Sequence, residues 1–78
     1  MIIVTNNDRL RKNILTLRQK WRLSQDAFAQ LVGMDKRCLD AIEKGTLYEI
    51  DAQVLTAICR QFGVDIFSLL EDTINLVR

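Results

Sequence analysis

No side chain in this 78-residue sequence stands ready to make or break a covalent bond. There is no histidine, no glycine-rich phosphate loop and no cluster of carboxylates beside a cysteine or serine, so neither an enzyme nor a cofactor is expected. What the spacing permits is recognition through hydrogen bonds. Lys36, Arg37, Asp40 and Ala41 share the outer face of a short segment, about 36–43, whose other face carries Leu39 and Ile42. An arginine fork matches the O6 and N7 acceptors of guanine, a carboxylate accepts from cytosine N4, and an alanine offers only a methyl contact. Lys36 suits a base or a phosphate equally. Asp40 has three open roles: accepting from cytosine N4, orienting Arg37, or screening Lys36 four residues before it. A helix presenting its N-terminal side chains outward in this way can enter the major groove of DNA.

Such a helix needs support, because two turns are unstable alone. The support lies just upstream. Gln25 to Val32 places Phe28, Leu31 and Val32 on one side, and Gly33 joins this segment to the next, with Met34 in the turn. Helices that cross steeply need a small residue where their axes approach, and Ala29 supplies it. Gly33 follows the last turn, where the backbone often takes a positive φ that a Cβ resists. Ser24 and Asp35 are placed to cap the two helices by accepting from their unpaired N–H groups. Residues 24–45 therefore read as a helix-turn-helix unit.

At this point the chain resembles the lambda-repressor and Cro-like, or Xre-type, helix-turn-helix family. The resemblance rests on Leu23-Ser24-Gln25, on Ala29 four residues after the glutamine, on Gly33, Leu39 and Ile42, and on the closing Ile42-Glu43-Lys44-Gly45. Outside the motif it takes in Leu17-Arg18, Phe62-Gly63-Val64 and Leu69-Leu70, so it spans about residues 8–72. It implies an all-α, five-helix domain. It also implies that Gln25 contacts a phosphate and braces the recognition helix, that Lys36 and Arg37 sit where relatives read bases, and that Arg18 pairs with Glu43 to tie the first helix to the third. The plain alternatives are a solvated Gln25 and two independent surface charges at 18 and 43. One departure stands out. Thr46 to Ile50 is a loop where relatives carry lysine, arginine and proline against the DNA backbone, whereas here Glu49 and Asp51 repel phosphate.

The remainder of the chain fits one small domain over residues 1–78. Asn6, Asn7 and Asp8 offer N-caps, and Leu10, Ile14, Leu17 and Trp21 follow at i, i+4, i+7 and i+11, which predicts a first helix over about 8–21. Its other faces carry Arg9, Arg11, Lys12, Arg18 and Lys20, so Lys12 and Arg18, with Lys44, are candidate phosphate ligands. A fourth helix from Asp51 or Ala52 to Phe62 buries Val54, Leu55, Ile58, Cys59 and Phe62. After Gly63, Asp65 caps a fifth helix to about Asp72, with Ile66, Leu69 and Leu70 inward and Phe67 outward. Phe67, Leu70 and Ile74 then form an apolar patch suited to a second subunit, the end through which relatives of the resembled family often dimerise. Ile2-Ile3-Val4 and Ile74 to Val77 are short β-prone runs that could pair, within one chain or between two.

Charge and cysteine content sharpen the picture. Residues 1–46 carry nine basic against five acidic side chains, and residues 47–78 carry two against five, so a net charge of +1 conceals a basic half and an acidic half. Cys38 and Cys59 lie on different helices with no histidine nearby, which argues against zinc and for reduced thiols. No 18-residue apolar run or signal segment is present, so a cytoplasmic location without membrane contact is expected. The resulting expectation is a DNA-binding regulator, in the manner of a repressor, acting as a homodimer on double-stranded DNA. Two rivals stand beside it: an antitoxin or restriction controller with a small protein partner, and a helix-turn-helix interaction module that no longer binds DNA.

Overall fold

The computed structural model describes residues 2–70. Its elements in chain order are β1 (Ile3–Thr5), α1 (Asp8–Lys20), α2 (Gln25–Val32), α3 (Lys36–Lys44), β2 (Glu49–Asp51), α4 (Ala52–Phe62) and α5 (Ile66–Leu70). The five helices appear where hydrophobic spacing places them. Each buries a stripe into one core: Leu10, Ile14 and Leu17 from α1, Phe28 and Ala29 from α2, Leu39 and Ile42 from α3, Leu55, Ile58 and Cys59 from α4, and Leu69 from α5.

The ends of the helices follow from local chemistry. Asn7 accepts from the Leu10 N–H at the start of α1, and Ser24 accepts from the Ala27 N–H at the start of α2. The helix α1 stops at Lys20, one residue earlier than the apolar spacing predicts, with Trp21 as its cap. Arg22 then takes the left-handed conformation, φ 55°, so that its N–H reaches Gln19 O and the Leu23 N–H reaches Arg18 O at 3.2 Å. This is a Schellman closure made without glycine. Because the helix has ended, Trp21 leaves the buried stripe. It is half exposed, with its ring 5.8 Å from that of Phe62, which in turn stacks on Phe28 at 5.0 Å. Leu31 is also about half exposed, since the inward stripe of α2 is filled by Phe28, Ala29 and Val32.

A short strand pairing joins the start of the chain to the segment after α3. The strand β1 pairs antiparallel with β2, in register Ile3↔Asp51, Val4↔Ile50 and Thr5↔Glu49. Residues 46–50, read from sequence as loop, thus end in a strand whose central Ile50 is fully buried. Three residues in an out–in–out pattern are too short for a period to be recognised, and the flanking acids hide the apolar centre. Flanking bonds from Asn6 N to Tyr48 O and from Ala52 N to Ile2 O, both 2.8 Å, extend the ladder. Asp51 also has a local task, because its carboxylate accepts from the Gln53 N–H and caps α4. Ile74 to Val77 lie outside the described residues, as does the expected end of the fifth helix at Asp72.

Candidate nucleic-acid interface

The helix-turn-helix corner is built as its residues dictate. Gly33 has φ +82° and closes α2, with its own N–H and that of Met34 both on Ala29 O. Asp35 then caps α3, its carboxylate accepting from the Arg37 N–H at 2.8 Å. At the far end Gly45 closes α3 in the left-handed region, and the N–H groups of Thr46 and Leu47 return to Ala41 O. The helix is therefore capped at both ends, which fixes its length and the direction of its outer face.

The back of α3 is held to α1 and α2 by a polar network. Arg18 donates to both oxygens of Glu43, Nε to Oε2 at 2.7 Å and Nη2 to Oε1 at 2.9 Å, and its Nη1 donates to Leu23 O at 2.9 Å. Arg18 retains 18% of its side-chain exposure and Glu43 only 8%, so this is a largely buried bidentate pair. The hydrogen bond to Glu43 raises the Arg18 pKa further, and the guanidinium is permanently charged. Arg18 is thus turned inward and occupied. Its expected part as a phosphate ligand is corrected by this geometry, and its role is to position α3.

Gln25 joins the same network. Its Nε2 donates to Glu43 Oε1 at 3.0 Å and to Asp40 Oδ1 at 3.2 Å. Both amide protons are then engaged with carboxylates, and the remaining polar atom of the side chain is an acceptor. A phosphate presents only acceptors, so a contact donated by this side chain requires that one of these bonds be given up. The bracing half of the role implied by the resemblance is present, and the side-chain phosphate contact is not available in this arrangement.

Three further side chains act as anchors that the sequence does not announce: Arg11, Asn13 and Asn6, the last offered as an N-cap although Asn7 takes that place. Arg11 reaches the C-terminal end of α3, with Nη1 3.5 Å from Glu43 O and its side chain packed beside Gly45. A cation there complements the helix dipole. Arg11 and Arg18 are seven residues apart on α1, and that spacing is the signal that could have paired them. Asn6 donates to Leu47 O at 2.7 Å and Ile42 O at 3.2 Å, fixing the segment that leaves α3. Asn13 is buried and donates to Leu69 O at 2.9 Å, joining α1 to α5.

The outer face of α3 carries what remains. Arg37 is 92% exposed, with Asp35 3.6 Å away, and Lys36 is half exposed, 3.8 Å from Asp26. Pairs this loose and solvated contribute little to stability and leave both cations available to a ligand. Lys44 lies 3.0 Å from Asp40. The hydrogen bond from Lys44, followed by that from Gln25, holds the Asp40 carboxyl below the ordinary aspartate range. Gln25, Lys36, Arg37 and Asp40 together line a shallow depression between α2 and α3. Ala41 is half-buried and Lys12 is exposed on α1.

Other expected features are placed as follows. Phe67 is exposed and Leu70 half-buried, whereas Ile74 lies outside the described residues. Cys38 and Cys59 are both free. Burial, followed by the charge of Asp35 for Cys38 and of Asp65 for Cys59, pushes both thiols up, away from the reactive thiolate. Among the described residues no cluster of potential ligands is placed to hold a metal ion, and no helix is long and apolar enough to cross a membrane.

A sequence model of a family described as helix-turn-helix matches residues 14–69, from the middle of α1 into α5. No curated protein matches the chain.

Proposed function

The chain belongs to the lambda-repressor and Cro-like helix-turn-helix family, and on that premise we propose that it is a sequence-specific transcriptional regulator that binds double-stranded DNA as a homodimer. The observation that carries this reading is the contrast between the two faces of α3. Its inner face is locked by Arg18, Glu43 and Gln25, while Lys36 and Arg37 project from its N-terminal turn into solvent. A rigid helix with an exposed arginine fork at its leading end suits the major groove. In this reading Arg37 donates to guanine O6 and N7, Lys36 meets a base or a phosphate, and Ala41 offers only its methyl. Lys12 and Lys44 meet phosphates. Gln25 contributes to the DNA backbone through its main-chain N–H, which in the first turn of α2 has no helical acceptor.

Dimerisation is supported by Phe67, a large apolar ring left 68% exposed on α5. A two-fold dimer of such units addresses a palindromic operator with half-sites about 34 Å apart, and occupancy of such a site represses. Glu49 stands exposed where a basic loop would favour phosphate, which lowers the electrostatic share of the affinity.

Fluorescence anisotropy on duplex DNA across a salt series tests the proposal. Affinity should fall linearly on a double-logarithmic plot, with a slope set by the number of phosphate contacts. Lys12→Ala should weaken every sequence alike and reduce the slope by about one, whereas Arg37→Ala should relax base preference at one position per half-site. Absence of salt-dependent binding would instead support a helix-turn-helix interaction module that no longer binds DNA, whereas salt-dependent binding together with co-purification of a small protein partner would support an antitoxin or restriction controller.

A further inference from the structure

Asp40 presents a problem for a DNA-reading helix. It is a carboxylate on the face that carries Lys36 and Arg37, and its side chain remains 37% exposed. Brought into a groove walled by phosphates, an idle carboxylate is repelled and loses its water without compensation. The hydrogen-bond partners of Asp40 are neither Arg37, whose guanidinium lies by Asp35, nor Lys36, whose amine lies by Asp26 and which acts on Asp40 only through its charge. Instead each oxygen is held by a different donor, Oδ1 by Gln25 Nε2 at 3.2 Å and Oδ2 by Lys44 Nζ at 3.0 Å. The carboxylate is clamped in one orientation, and each oxygen keeps a second lone pair free.

Resting on the DNA-binding reading above, we infer that Asp40 is a specificity-determining residue that selects a cytosine by accepting from its N4 amino group. The chemistry of the groove narrows the choice. Guanine and thymine present no donor to the major groove, and their acceptors oppose a carboxylate. Adenine presents the N6 amino group, but its N7 acceptor lies alongside and faces the second oxygen. Cytosine presents N4 without a neighbouring acceptor on the same base. Lys44 and Gln25 keep the group ionised and aimed, so the base meets a preorganised acceptor. Asp40 lies three residues after Arg37, about 4.5 Å along the axis. The cytosine therefore falls within a step or two of the guanine read by Arg37.

The test is selection from a randomised duplex pool by the full chain, by Asp40→Asn and by Asp40→Ala, with circular dichroism confirming that the variants fold. Asparagine donates and accepts in the pattern that fits adenine N6 and N7. The Asp40→Asn pool should therefore match the wild-type pool everywhere except one position per half-site, where C·G gives way to A·T. In the Asp40→Ala pool that position should become indifferent. On purified duplexes, wild-type protein should prefer cytosine there by about tenfold, within the range expected of one good base contact. A wild-type pool enriched for a motif that neither substitution alters would overturn the inference and leave the DNA-binding reading standing. So would a wild-type preference for A·T at the altered position. Recovery of unenriched sequence by the wild-type chain would sink both.

Discussion

Removing one member of the Arg18–Glu43 pair should unfold much of this small protein at modest temperature, whereas removing both should not. In Arg18→Met the Glu43 carboxylate, only 8% exposed in the native fold, keeps one of its three side-chain hydrogen bonds, the one from Gln25. Stranding a buried charge costs 3–5 kcal/mol in general. The residual Gln25 bond places this case at the lower end, about 3 kcal/mol. For a domain of this size that corresponds to a fall in Tm of roughly 12–24 °C. It also removes a large share of a total stability of only several kcal/mol. Glu43→Leu should cost somewhat less, because Arg18 keeps its bond to Leu23 O and some access to water. The double variant Arg18→Met/Glu43→Leu leaves no stranded charge and fills the space with apolar atoms, so it should be more stable than Arg18→Met alone. Thermal and urea unfolding followed at 222 nm supply the cycle, with an unchanged m-value showing that the denatured state is comparable. A coupling of about 1.5 kcal/mol or more is expected, within the range for contacting residues. If each single variant shifts stability by less than about 0.5 kcal/mol and the two effects add, the pair behaves as a solvated surface bridge and the argument that it anchors α3 is wrong.

Other consequences can be checked on the same material. Gly33→Ala meets no atom within 4 Å of the new Cβ, yet φ is +82°, so its cost is purely conformational, about 1–2 kcal/mol by calorimetry; an unchanged Tm would refute this. Asn13→Ala removes the bond to Leu69 O and leaves a buried carbonyl short of a partner, so chemical denaturation should show a loss of about 1–3 kcal/mol. The folded-state pKa of Asp40 lies below its unfolded value, so its stabilising contribution is complete above about pH 4 and is lost only as pH falls through the lower folded value. An NMR titration of the Asp40 carboxyl should accordingly give a midpoint below that of aspartate in an unstructured peptide. Buried Cys59 should react with a thiol reagent at pH 7 only after unfolding, and half-buried Cys38 should react slowly in the folded protein; rapid labelling of Cys59 would contradict its raised pKa.

The sequence by itself determined the helices and the corner, because those depend on residues close together in the chain. Leu10, Ile14 and Leu17 repeat at the helical period, Ser24 and Asp35 cap the helices that follow them, and the positive φ at Gly33 is a property of one residue. The outward position of Lys36 and Arg37 follows from the burial of Leu39 and Ile42 on the same two turns. Arg18 and Glu43 were paired only through resemblance to a known family, since 25 residues separate them and charge alone does not choose partners. The tertiary structure decided what each polar group near α3 is free to do. It turned Arg18 inward, engaged both amide protons of Gln25, gave Asp40 to Lys44 and Gln25 in place of Lys36 or Arg37, and brought Arg11 and Asn6 to the end of the helix. It also paired Val4 with Ile50, a match between strands of three residues each. The physical reason is common to all of these. A local pattern reports which side of an element faces the core, but the partner of a hydrogen-bonding group is set by which distant backbone or side chain the packed helices deliver within about 3 Å of it.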